Sequence, residues 1–118
     1  DLYIVVTFTR MRYSYADQRL DFDQKGAPTD ELREKGLKPW FECQNRKDIH
    51  LRIIMGHWST LGFYEDEHVL ALDTGCVWGG KLTAARIDCD EVEIVSVECV
   101  NKDESEGEKT TSPDAPQI

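Results

Sequence analysis

The stretch from Ile53 to Ala84 constrains the fold more than any other part of this chain. One apolar run, Ile53-Ile54-Met55, stops at Gly56-His57-Trp58, and a second, Val69-Leu70-Ala71-Leu72, stops at Asp73-Thr74-Gly75. Short apolar runs closed by glycine deliver polar side chains to the rim of a sheet. A histidine at such a rim can serve as a metal ligand, a general acid or a general base. One histidine cannot assemble a site alone, so the rest of the chain must say what it meets.

The remaining elements read less sharply. From Leu2 to Tyr13, the residues Ile4, Val5, Val6, Thr7 and Phe8 favour a strand by propensity. The spacing of Ile4, Phe8, Met11 and Tyr15 favours a helix instead, and the helix is preferred through about Arg12. Tyr13 to Phe22 resembles a short hairpin, and a brief helix can start at the Thr29 cap. Leu37 to Glu42 is expected to be extended, because Pro39 disfavours the α conformation at Lys38. Leu51–Met55 and Val69–Leu72 are predicted strands with a loop or lid, Trp58–His68, between them. Lys81–Asp88 and Glu91–Cys99 form a second predicted pair, joined through Ile87–Glu91.

A chain of 118 residues with 40% hydrophobic content and a net charge of −9 suits one small acidic domain. Residues 1–100 are expected to form it. Residues 101–118 carry five acidic residues against two Lys, and Ile118 is their only large apolar side chain. Such a segment cannot offset its ordering entropy and is expected to be a disordered acidic tail. Without it the body still carries −6, which argues against DNA as a partner. No membrane-length apolar run or signal peptide is visible, and a cytoplasmic setting is expected. Cysteines at 43, 76, 89 and 99 show no zinc spacing and are expected to be reduced and buried. The chain opens on Leu-Tyr-Ile-Val-Val without an initiator Met and reads as a piece cut from something longer.

His57 is the first candidate for chemistry, against the plainer reading of a rim histidine bonded to backbone. His50 and His68 lie in polar surroundings and read as surface residues, and Asp73 reads first as a turn cap. Trp78, inside Cys76-Val77-Trp78-Gly79-Gly80, can pack or can stack on a base. Arg10, Arg12, Arg19, Lys38 and Lys81 are the cations expected to stand near these loops. Arginine binds phosphate oxygens through two parallel hydrogen bonds, whereas the plainer reading is a solvated surface cation. No Walker loop, Gly-x-Gly-x-x-Gly or Gly-x-Ser-x-Gly occurs.

Five blocks stand in series: Phe8-Thr9-Arg10-Met11-Arg12-Tyr13, Arg19-Leu20-Asp21-Phe22, Leu37-Lys38-Pro39-Trp40-Phe41, Gly56-His57-Trp58, and Leu72-Asp73-Thr74-Gly75-Cys76-Val77-Trp78-Gly79-Gly80-Lys81-Leu82-Thr83. Their order and spacing resemble the C-terminal half of the symmetrical diadenosine tetraphosphatases, from about Tyr3 to Ile87. The last block alone would indicate only the wider phosphoprotein-phosphatase relatives. The first and third narrow it.

The resemblance implies a calcineurin-like metallophosphoesterase. Its fold class would be α/β to α+β, here part of a two-sheet α-β-β-α sandwich with mostly antiparallel or mixed strands. It implies two divalent metal ions, Mn2+ or Co2+, in the full-length protein, and hydrolysis of diadenosine tetraphosphate to two ADP. His57 matches the last of the family's metal-binding histidines. Arg10, Arg12, Trp78 and Lys81 are the expected substrate-binding residues, and no catalytic residue is assigned. The family's Asp-x-His, Gly-Asp-x-x-x-x-Arg-Gly, Gly-Asn-His and Val/Ala-His-Ala-Gly blocks are absent, so the chain alone is expected to hold no binuclear centre and to be inactive. Alternatives are a relative acting on phosphoproteins or nucleoside-polyphosphate-capped RNA, or a non-catalytic interaction fragment. Association with the missing N-terminal half, or self-association, is expected because the apolar faces of Leu51–Met55 and Val69–Leu72 would be left open.

Overall fold

Strand residues with β-branched side chains and short turn-forming segments alternate through this chain, and the outcome is a set of small sheets. The computed structural model describes residues 1–47 and 49–100. The chain divides into two compact units, Asp1–Thr74 and a second from Gly75 onward. The segment 101–118, expected to be a disordered tail, lies outside the described residues.

The first unit opens with α1 (Leu2–Arg10), capped by the Asp1 carboxylate, which accepts from the Tyr3 N–H at 3.1 Å. The i,i+4 spacing of Ile4 and Phe8 prevails over the strand propensity of the Ile-Val-Val-Thr run. The helix ends at Arg10, two residues short of the sequence expectation, and Met11 is already extended. β1 (Tyr13–Ser14) then pairs antiparallel with β2 (Leu20–Asp21), as the hairpin reading predicts. α2 (Asp30–Glu34) starts at Thr29, whose hydroxyl accepts from the Leu32 N–H. β3 (Lys38–Pro39) pairs with the other edge of β1. The extended segment expected as far as Glu42 ends at Pro39, because Trp40–Glu42 turns into a 3-10 helix. Arg33 on α2 grips the Glu42 carboxylate at 2.9 Å and fixes that turn.

β4 (Ile53–Met55) runs parallel to β6 (Val69–Ala71), with β5 (Tyr64–Glu65) antiparallel on the far side of β6. The segment Trp58–His68 is therefore not a plain loop. It contains a 3-10 turn, Ser59–Leu61, and the strand β5. Two aromatic residues anchor β5: Tyr64 stacks on Phe41 at 4.6 Å, and its hydroxyl donates to Asp66 at 2.7 Å. Asp66 also accepts from the His68 and Val69 N–H groups, which turns the chain tightly into β6.

The core is aromatic. Trp58 and Tyr13 are almost fully buried, meet edge to face at 4.9 Å, and both donate to the Gly26 carbonyl. Leu37 completes the buried cluster, with Phe41, Met55 and Leu61 against it. One expectation is corrected here: Val69, Leu70 and Ala71 are buried, not open, because β6 is the central strand of its sheet. β4, at the sheet edge, keeps Ile54 exposed, and α1 buries none of its residues.

The second unit is a hairpin, β7 (Lys81–Arg86) paired antiparallel with β8 (Glu93–Glu98) in the expected order. Its strands are largely exposed. A Cys76–Cys99 disulfide closes its open end, contrary to the expectation of reduced, buried cysteines. The pairing register brings the two Cα atoms to 5.3 Å, inside disulfide reach, and nothing in the sequence spacing signals that. Cys43 is half-buried and Cys89 exposed, both as free thiols. Mixed helix and strand content with small antiparallel and mixed sheets makes this an α/β chain.

Candidate functional site

Parallel strands end on the same side of a sheet, and that geometry builds the rim. The Leu72 N–H donates to the Met55 carbonyl at 3.0 Å, so the chain leaves β4 and β6 side by side. The two places where the apolar runs stop are thereby brought together. A Cβ built on Gly56 would lie 3.9 Å from the Asp73 Cβ. His57 follows with a left-handed backbone, φ +71°, a conformation uncommon outside glycine. The turn throws its ring outward while Trp58, the next residue, goes to the core.

His57 meets Arg12. The Arg12 Nη2 lies 3.0 Å from the His57 Nε2. A guanidinium only donates, so Nε2 is the acceptor and carries the lone pair, which puts the ring proton of a neutral imidazole on Nδ1. Arg12 reaches the rim because Met11 breaks α1 and the following strand, β1, runs through the core. Its Nε is buried without a hydrogen-bond partner, as is the Thr7 hydroxyl on α1. Arg10, in the last turn of α1, is exposed. His57, Met55 and Ile53 share a groove of 450 Å³ with Phe8, Met11 and Trp40.

The other two expected site residues belong to the second unit. Gly75 and Gly79 both take left-handed backbones, φ +75° and +82°, and between them Cys76–Trp78 forms a 3-10 turn. Three backbone bonds tie it down, from Trp78 and Gly80 to the Gly75 carbonyl and from Gly79 to that of Cys76. Trp78 is 76% exposed on this fixed turn, so it is not a packing residue of its own unit. Lys81 begins β7 and lies 3.2 Å from the Glu98 carboxylate.

Among the described residues no group of three or more His, Cys, Asp or Glu comes together to hold a metal ion. The described residues therefore do not by themselves fit the binuclear centre that the resemblance implies. Asp66 and Tyr64 are the polar pair that sequence reading missed. Burial and the hydrogen bond to Asp66 push the Tyr64 phenol up to about 12. Partial burial would raise the Asp66 carboxyl, but bonds from Tyr64, His68 and Val69 outweigh it and hold it below the usual range.

No family model matches the chain. Over 97 residues, 82% of its length, it is 46% identical to the symmetrical bis(5'-nucleosyl)-tetraphosphatase of Thioalkalivibrio sulfidiphilus. The chain is related to a C-terminal part of the symmetrical tetraphosphatases. The protein of the same name from Xanthomonas axonopodis pv. citri is 48% identical over 94 residues, and that from Xylella fastidiosa 45% over 94. The chain spans about a third of the length of these tetraphosphatases: 35%, 29% and 32% respectively. Among the described residues no helix is long and apolar enough to cross a membrane.

Proposed function

We propose that the chain is one portion of a symmetrical bis(5'-nucleosyl)-tetraphosphatase and supplies a substrate-facing wall to it. The observation that carries this reading is 46% identity to such a tetraphosphatase over 82% of the chain. The reaction of the complete protein would be addition of water to a central phosphorus of diadenosine tetraphosphate, with one ADP leaving and a second ADP formed. The polyphosphate carries several negative charges, which need cations to bind. Arg10, Arg12 and Lys81 would contact phosphate oxygens, and the exposed Trp78 would stack on an adenine. In the complete protein His57 would be one ligand to a divalent metal such as Mn2+ or Co2+, with Arg12 giving up its bond to Nε2. The remaining ligands would come from outside this chain.

The small sheets would belong to the two-sheet sandwich of the calcineurin-like metallophosphoesterases, and the setting would be cytoplasmic. Rates of diadenosine tetraphosphate hydrolysis test the reading. The 118-residue chain alone should give none above background. In the full-length protein, Arg10→Ala or Lys81→Ala should raise KM with a smaller effect on kcat. Hydrolysis by the verified short chain would overturn the reading, and an unchanged KM would remove that residue from the binding set.

A further inference from the structure

A second cavity, of 520 Å³, lies in the first unit away from the His57 rim. It shares Met11, Trp40 and Ile53 with the groove that holds His57, but neither His57 nor Arg12 lines it. Ile53 opens β4 and Gly56 follows its end, which puts the Ile53 wall about 10 Å along the strand from the rim. Besides apolar walls, its described lining carries two cations, Arg46 and Lys47, and no carboxylate. In a chain where 23 of 118 residues are Asp or Glu, that is a local reversal of charge. Short-range turns build it. The Cys43 N–H donates to the Trp40 carbonyl at 3.3 Å and the Arg46 N–H to the Cys43 carbonyl at 3.2 Å, so the chain folds back on itself. The Arg46 guanidinium thereby lies over the Trp40 ring, 5.3 Å from its centre. Stacked in this way, a guanidinium keeps the N–H groups of its edge for an anion. Ser14 lines the same cavity and is only 5% exposed, and its hydroxyl has no hydrogen-bond partner among the described residues. Buried hydroxyls are normally paired, so an unpaired one in a cavity wall points to a ligand.

We propose that this cavity binds a nucleoside diphosphate, at a site separate from the rim. Its volume falls in the range of small-molecule sites, and mostly apolar walls with a few polar groups are their usual make-up. The base takes the apolar walls, where the Gln18 and Asn45 amides offer both donors and acceptors to its edge. The diphosphate takes the Arg46 fork, with Lys47 adding charge. The Ser14 hydroxyl gains in the bound molecule the partner it lacks in the free chain. The choice of a nucleoside diphosphate over other apolar phosphates rests on the tetraphosphatase reading, whose reaction releases ADP.

The test is titration of the isotope-labelled 118-residue chain with ADP, adenosine and inorganic pyrophosphate in buffer containing a metal chelator, read by amide and indole N–H chemical shifts. ADP should saturate with a Kd below about 1 mM, moving the Trp40 indole and Ser14 amide signals while the His57 ring signals stay in place. Adenosine and pyrophosphate should each bind at least about tenfold more weakly, because each makes only part of the contacts. Arg46→Ala should weaken ADP at least about tenfold. Ser14→Ala should weaken it about threefold to tenfold with an unchanged denaturant midpoint, since the hydroxyl bonds nothing in the free chain. That pairing separates ligand contact from a packing role, and Ser14→Ala decides the matter where Arg46→Ala fails to fold. Absence of saturable shifts, shifts centred on His57 or Trp78, pyrophosphate binding as tightly as ADP, or full affinity in both variants would each overturn the proposal. Hydrolysis of diadenosine tetraphosphate by the full-length protein is scored separately. ADP held at Trp40 in a protein without hydrolysis keeps the site and removes the tetraphosphatase reading. Hydrolysis with no ADP at Trp40 does the reverse.

Discussion

Arg12 and His57, 45 residues apart in sequence, stand 3.0 Å apart in space, with the guanidinium donating to the imidazole Nε2. The nitrogen lone pair available to a cation is thus already engaged by the chain's own arginine. Arg12→Ala would release it. We expect Arg12→Ala to move the His57 ring from the Nδ1–H tautomer towards the Nε2–H form that dominates in free imidazole side chains. Nitrogen chemical shifts of the histidine ring report this directly, and an unchanged tautomer ratio would show that the contact does not form in solution.

Trp58 holds the first unit together through packing and one hydrogen bond. Its ring lies against Tyr13, and both side chains donate to the single carbonyl of Gly26, at 3.1 and 2.9 Å. Trp58→Ala should cost about 3–5 kcal/mol, enough to unfold a small unit. Tyr13→Phe keeps the ring and removes only one donor, so about 1 kcal/mol is expected. Denaturant midpoints of the two variants should therefore differ widely, and equal losses would refute the aromatic cluster as the main anchor.

Asp66 and Tyr64 give the β5–β6 turn opposite sensitivities to acid and base. The folded Tyr64 phenol titrates at about 12 against an ordinary 10.0, so the fold favours the protonated form. Its contribution is complete below pH 10 and is lost as pH rises from there through about 12. The Asp66 carboxyl is lowered from 3.8, so its contribution is present above that value and is lost as pH falls through the lower folded value. Tyr64→Phe should abolish the alkaline loss at a cost of about 1 kcal/mol. Spectroscopic titration of phenolate, compared between wild type and variant, measures it; a Tyr64 that ionises with the exposed tyrosines would contradict the geometry.

The Cys76–Cys99 bridge closes a loop with a sequence separation of 23. A loop of that size contributes about 3 kcal/mol by restricting the unfolded chain. A two-stranded hairpin is marginal by itself in water, so reduction should unfold the second unit while the first persists. Amide exchange in dithiothreitol should show β7 and β8 losing protection, with Val69 and Leu70 unaffected. A Cys76→Ser variant should reproduce the reduced state. Retained protection after reduction would show that the cross-strand pairs suffice.

Much of the local structure was legible because its causes are local. Helical spacing through α1, the Thr29 cap, the hairpin from Tyr13 and the strand pair joined through Ile87–Glu91 all act over a few residues. The strand β5 was hidden in a polar stretch, since its support comes from Phe41 and from the Asp66 turn. The cysteine pairing was hidden for a similar reason: it follows from strand register, not from spacing along the chain.

The sequence by itself determined where the apolar runs stop, which residues stand at those stops, and the kinship with the symmetrical tetraphosphatases. Those are properties of composition and order along the chain. Only the tertiary structure decided that the two stops share one rim, that Arg12 engages His57, and that α1 rather than β6 is left uncovered. Each depends on the parallel pairing of β4 with β6 and on residues distant in sequence, where contact is set by packing and register.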